Sequence, residues 1–391
     1  MSKVAGAFAP PKPQVISLAD VLTLAGAFLF TLANVTSGSV LLLRTAAVLA
    51  TLAVLSDWKR LATIAKTFVT AGFVLFAMSE FLLPAGKAAI VERALYQGVG
   101  FSSFLSVLGM LRYAVGRSEI IRNAAEYLMS MPGRRRYQAV KVGSHLLSLL
   151  FNIGIISLLG QMVAKATEGQ DRQSERRSIL LAAMRGTVLM TIWSPLGVGF
   201  AIITQSIPNL APTAFVIAAF ATAVALILVT MIFHTEATGQ TGNAGPADAD
   251  DREMPSAGPL ATTLCACLGL FGGTMAIHAA IDVSPLVASL IVLPLFAIGW
   301  IVYEQRVPLS GLGREVKGMV GNMSVMRTES AIYLSASVIG ATAVVFLDGR
   351  GNFLSDLNQL PPPVLAGLCI LAIAGSALLF VPHSIVVVFL A

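Results

Sequence analysis

Residues 137–166 read YQAVKVGSHLLSLLFNIGIISLLGQMVAKA. The run is long enough to cross a bilayer, since about 20 apolar residues suffice. At its centre, however, stands Asn152-Ile153-Gly154, a poor membrane-helix tripeptide, and each flanking arm is too short to span. Basic charge precedes it at Arg134, Arg135, Arg136 and Lys141. The pattern predicts a helix–turn–helix hairpin that enters the membrane and returns to the same face. Non-helical backbone at that depth is tolerated only where protein or a water-filled cavity surrounds it. A second segment, 362–391, has the same form, with apolar arms around Pro382-His383-Ser384.

Working outward, the chain of 391 residues is 56% hydrophobic and 12% charged. That is roughly half the charged share of a soluble domain, so an integral membrane protein is read. Stretches such as Phe215 to Phe233 are apolar on every face, which fits helices and not the alternating strands of a barrel. Spans are expected at 16–33, 38–56, 66–84, 94–114, 178–206 (broken), 211–233, 259–281, 284–303 and 329–347: about nine spans and two hairpins, all α. The net charge of +6 is assigned to cytoplasmic loops, because no basic segment carries the interleaved aromatics of a nucleic-acid surface. Cys265, Cys267 and Cys369 lie in apolar runs with no His or carboxylate near them in sequence, so no metal site is read.

Lysine and arginine set the orientation. Lys59, Arg60 and Lys66 follow span two, and Arg112 to Lys141 follow span four. The N-terminus is therefore cytoplasmic, in an inner (cell) membrane, and the hairpin at 137–166 opens inside. Arg306, Arg314, Lys317 and Arg327 gather in the inside connection before span 329–347. The second hairpin then opens outside. The order divides the chain into an N-terminal segment and first span (1–37), a first repeat (38–234), a cytoplasmic linker (235–258) and a second repeat (259–391) of opposite direction. Inverted repeats with helix breaks in matching positions point to a transporter's midplane site. The first repeat continues past its hairpin by two spans and the second does not, so a truncated C-terminus is expected.

The candidate binding residues lie at the breaks. Asn152 offers donor and acceptor, Gly154 lets backbone approach a ligand, and Ser157 follows one turn on. In the broken span, Trp193-Ser194-Pro195-Leu196-Gly197 removes a helix hydrogen bond and frees carbonyls beside the Ser194 hydroxyl. Arg185, about 12 Å into the same span, is an intramembrane cation that could bind an anion, pair with a carboxylate such as Glu119 or Glu329, or reach the interface. Pro382, His383 and Ser384 form the second tip. Asn152, Ser194 and His383 are expected to converge. His145 and His278 are read as structural. No catalytic residue is assigned, since no zinc-protease, hydrolase or phosphate-loop motif occurs.

The segment Gly109-Met110-Leu111, an amphipathic stretch, Arg134-Arg135-Arg136 and then the hairpin resembles the first half of the ion transporter superfamily. That superfamily includes arsenite-efflux permeases, citrate carriers and divalent anion/sodium symporters. The resemblance covers roughly 38–391 and is architectural. The symporters carry a Ser-Asn-Thr type motif at their hairpin tips; here the first tip retains the Asn (Asn152) and the second has none. The resemblance implies an elevator-type secondary transporter. The broken-helix N-termini and Arg185 point to a small anionic solute, carboxylate-like; a homodimer is expected, and the coupling ion, Na+ or H+, is open. A membrane-embedded enzyme acting on a lipid-linked substrate and an ion channel are the rival classes.

Overall fold

The computed structural model describes residues 15–36, 38–131, 133–151, 159–160, 173–206, 210–232 and 256–348, with a few positions between 360 and 371. Asn152, Gly154 and Ser157 of the first hairpin, Pro382, His383 and Ser384 of the second, and most of the linker lie outside the described residues.

The described chain is helical. Its helices are α1 (Leu18–Val35), α2 (Val40–Ser56), α3 (Thr63–Leu82), α4 (Ala85–Gly116), α5 (Glu119–Ser130), α6 (Gly133–Phe151), α7 (Gln173–Trp193), α8 (Val198–Ser206), α9 (Pro212–Ile232), α10 (Gly258–Ile281), α11 (Pro285–Gln305), α12 (Leu309–Asn322) and α13 (Arg327–Asp348). Seven helical stretches among the described residues are long and apolar enough to cross a membrane, the last running from Ser310 to Phe346.

Helix starts follow local chemistry. Ser17 and Asp20 form a capping box at α1, with the Asp20 amide donating to Ser17 Oγ at 3.2 Å and the Ser17 amide to Asp20 Oδ2 at 2.8 Å. Ser118 caps α5 by accepting from the Ile121 amide at 3.1 Å, and Glu119 occupies the first turn, where the helix dipole favours an anion. In α5 the buried residues are Ile121, Ala124, Ala125 and Leu128, a one-sided stripe at helical spacing, so this helix lies flat on a core.

Two boundaries differ from the sequence expectation. α4 begins at Ala85, not near 94, and so carries Lys87, Glu92 and Arg93 in its first turns. There Glu92 accepts from Arg44 Nε of α2 at 2.8 Å, which removes the reason for the helix to start later. The basic connection before span 329–347 is the helix α12, which turns Arg314 and Lys317 outward and buries Met319 and Val320.

α4 is the central element, buried on all sides from Gly98 to Leu111. It runs antiparallel to α13: Gly98 faces Leu334, Ser106 Oγ lies 3.1 Å from Ser330 Oγ, and Asn322 Nδ2 donates to the Gly109 carbonyl at 2.7 Å. A Cβ at Gly98 would stand 2.6 Å from the Leu334 carbonyl oxygen, so only glycine allows this backbone approach. α4 runs parallel to α11, because Gly100 approaches Leu286 and the Ile120 amide just beyond α4 donates to Glu304 Oε1 at 2.9 Å. On the other side α3 runs along α13, with Gly72 against Ser335 and Phe76 and Leu83 against Val338 and Val345.

Candidate functional site

The broken span is where the chain does least to satisfy its own backbone. α7 makes its last regular bond from the Ser194 amide to the Met190 carbonyl at 3.1 Å. Pro195 then disfavours helical backbone at Ser194 and has no N–H to continue the ladder. The Ser194 hydroxyl accepts from the Leu196 amide at 3.2 Å, and the Gly197 amide donates to the Ser194 carbonyl at 2.8 Å. α8 starts when the Ala201 amide reaches the Gly197 carbonyl at 3.2 Å. Ser194, Pro195, Leu196 and Gly197 are all buried, so this turn sits in protein and not against lipid.

Trp193 anchors the break. Its ring meets Phe220 of α9 edge-on at 4.7 Å and Phe271 of α10 at 5.6 Å. Its Nε1–H donates to His145 Nε2 at 3.2 Å. His145 Nδ1 lies 3.0 Å from the Gly186 carbonyl, which can only accept. The pair of contacts assigns the neutral, Nδ1-protonated tautomer. Ser144 and Ser148 flank His145 on α6 and return their hydroxyls to the carbonyls of Lys141 and His145.

α6 and α7 run parallel. Arg185 Nη1 donates to the Tyr137 hydroxyl at 3.0 Å, and Trp193 bonds His145; both pairs are 48 residues apart. On that register Leu146 to Leu149 of α6 lie level with the break at 194–197. Gly186 makes the contact possible, because a Cβ there would collide with the Lys141 carbonyl and the Ser144 hydroxyl.

Lys141 is fully buried on α6. It donates to the Ile227 carbonyl at 3.2 Å and to the Thr230 hydroxyl, near the C-terminal end of α9. It has no carboxylate in salt-bridge range among the described residues; one backbone carbonyl and one hydroxyl take its protons. Thr187 Oγ1, beside Gly186, is buried with no hydrogen-bond partner among the described residues.

Of the expected site residues, Ser194, Pro195 and Gly197 form one buried turn. Arg185 does not join it. Nine residues earlier on α7, it lies about 13 Å below and on the opposite face, exposed and bonded to Tyr137. Asn152, Gly154, Ser157, Pro382, His383 and Ser384 fall outside the described residues, and with them the expected convergence of Asn152, Ser194 and His383. Sequence reading missed Lys141, Trp193 and Thr187 as members. A lysine nine residues into an apolar helix was the available signal.

No protein-family model, curated protein or solved structure matches this chain.

Proposed function

We propose that this protein is a secondary transporter for a small anionic solute, carboxylate-like, whose site is built on the α7–α8 break and the end of α6. The observation that carries the reading is the buried, non-helical turn Ser194–Gly197 inside an apolar span, enclosed by α6, α9 and α10. Interrupted spans present backbone amides and carbonyls to solutes and ions. Polar residues of a neighbouring arm, Ser144, His145 and Ser148, are all buried alongside.

The re-entrant reading of 137–166 requires α6 and α7 to start from the same membrane face, and their parallel register is what it requires. Lys141 near the start of α6 meeting the end of α9 also suits a common cytoplasmic face for both. Inverted repeats find support in the reciprocal packing around α4 and α13. α3 runs parallel to α13 as α11 does to α4, while α4 and α13 oppose each other. From Thr63 to Pro285, the starts of α3 and α11, is 222 residues; from Ala85 to Leu309, the starts of α4 and α12, is 224. Near that offset Gly98 corresponds to Asn322: Gly98 of α4 lies against the Leu334 carbonyl of α13, and Asn322 at the end of α12 donates to the Gly109 carbonyl of α4. A two-fold axis in the membrane plane generates this pattern. An elevator motion of α6–α8 against α4 and α13, in a homodimer, is the mechanism the arrangement suits, with Na+ or H+ as coupling ion.

The test is uptake of a panel of radiolabelled organic anions into proteoliposomes under Na+, proton and null gradients. Saturable, gradient-dependent uptake that Ser194→Ala and Gly197→Val reduce at least tenfold supports the carrier. Non-saturating conductance, or product formed from a lipid-linked substrate, supports the channel or the enzyme instead.

A further inference from the structure

A cavity with polar lining lies away from the break, between α1, α2, α4 and the start of α13. Its volume is about 30 Å3, room for roughly two water-sized bodies. Two carboxylates line it, Asp20 (3% exposed) and Asp57 (6% exposed), with Arg327 between the helices. Arg327 Nε bonds Asp57 Oδ2 at 3.3 Å and the Ser324 carbonyl at 2.8 Å. Arg60 also reaches Asp57, at 3.4 Å, but its side chain is mostly in solvent. Asp57 is therefore compensated.

Asp20 has no such pair; Arg327, which lines the same cavity, acts on it only at longer range. Its Oδ2 takes the Ser17 amide and hydroxyl, each at 2.8 Å, while Oδ1 has no partner, and the residue makes no ion pair among the described residues. A buried carboxylate without a counter-charge is costly, by several kcal/mol even after relaxation. The cavity supplies matching oxygen ligands. Ser102 and Ser103 of α4 are 6% and 3% exposed, line the cavity, and have hydroxyls with no hydrogen bond among the described residues. Serines in helices usually return their hydroxyl to the preceding turn, as Ser106 does to the Ser102 carbonyl at 2.9 Å. These two do not.

We propose that this cavity binds a single monovalent cation, Na+ by size, held by Asp20 and the hydroxyls of Ser102 and Ser103. Hard oxygen donors suit an alkali or alkaline-earth ion. A single carboxylate without an ion pair and a small volume argue against Ca2+, which takes six to eight oxygens. The inference is independent of the transport reading.

The experiment follows thermal unfolding of the purified full-length protein by tryptophan fluorescence. NaCl, KCl, CaCl2 and N-methylglucamine chloride are titrated at fixed ionic strength. An ion bound to the folded state raises the Tm saturably. The expected result is a saturable rise with NaCl, absent with N-methylglucamine and at least tenfold weaker in half-saturation with KCl. Asp20→Asn abolishes it. Ser102→Ala/Ser103→Ala, which keeps the charge and serves if Asp20→Asn does not fold, raises the NaCl midpoint at least tenfold. No saturable Na+ response, equal midpoints for K+ and Na+, or a stronger Ca2+ response would overturn the proposal. So would a Na+ response unchanged in these variants; that response would belong to another site and leave the transport reading standing.

Discussion

At the scale of single residues, the break owes its shape to Trp193 as much as to Pro195. The proline ends α7; the indole fixes where the end points, through Phe220, Phe271 and His145. Trp193→Phe keeps an aromatic ring but leaves His145 Nε2 without its donor. Losing one partner of a buried hydrogen bond costs about 1–3 kcal/mol. The expected outcome is a lower unfolding midpoint in detergent. Lys141 gives the opposite expectation. A buried cation without a carboxylate is often replaceable by an apolar side chain of similar volume at no cost in stability. Lys141→Met should therefore unfold at or above the wild-type temperature, and a loss of transport in that folded variant would assign the ammonium to solute or ion binding. An unfolding midpoint several degrees lower would assign it a purely structural role at the end of α9.

These residues also mark what a sequence can and cannot show. Pro195 between apolar runs announces the break, because its effect is local and obligatory. His145, Trp193 and Lys141 act on partners 41 to 89 residues away, and no spacing rule links them. Asp20 closes a capping box with Ser17 three residues away, a local pattern, whereas Ser102 and Ser103, which line the same cavity, come from another helix that no spacing rule links to it. Arg185 was legible as an intramembrane cation, and its nine-residue spacing from Ser194 already set the two on opposite faces of α7; its bond to Tyr137 of α6 was not legible.

At the scale of elements, hydropathy located seven of the nine expected spans, because each long apolar helix is its own signal, while α2 and the broken α7–α8 segment fall short of that length or hydropathy. α12 was missed for the converse reason: Arg314 and Lys317 dilute the window, and the helix is amphipathic. The pairing of helices is invisible to hydropathy and is set by close contacts. Gly98 is the tightest of these between α4 and α13, and Gly98→Val should force the two apart. Overpacking typically costs 1–3 kcal/mol, to be seen as a lower unfolding midpoint, while the same change at Gly116, which has open space around it, should be near neutral. The parallel register of α6 and α7 has its own check. Tyr137→Cys with Arg185→Cys should cross-link through a short bifunctional maleimide. Tyr137→Cys with Trp193→Cys, about 12 Å further along α7, should not. Efficient coupling of the second pair and none of the first would show that the register is wrong.

At the scale of the whole molecule, the apolar helices suit a bilayer and the reciprocal arrangement about α4 and α13 suits two opposed halves. What such a design accomplishes is a central site that faces each side in turn, and Ser194 is the described residue that should experience that alternation. The direct measurement places a single reporter there, Ser194→Cys in a cysteine-free background, reconstituted in oriented proteoliposomes. A small membrane-impermeant methanethiosulfonate is applied from one side or the other under opposed solute gradients. The account predicts modification from both faces, with the preferred face reversing with the gradient and protection by a transported anion. Modification from one face alone under every gradient would contradict it.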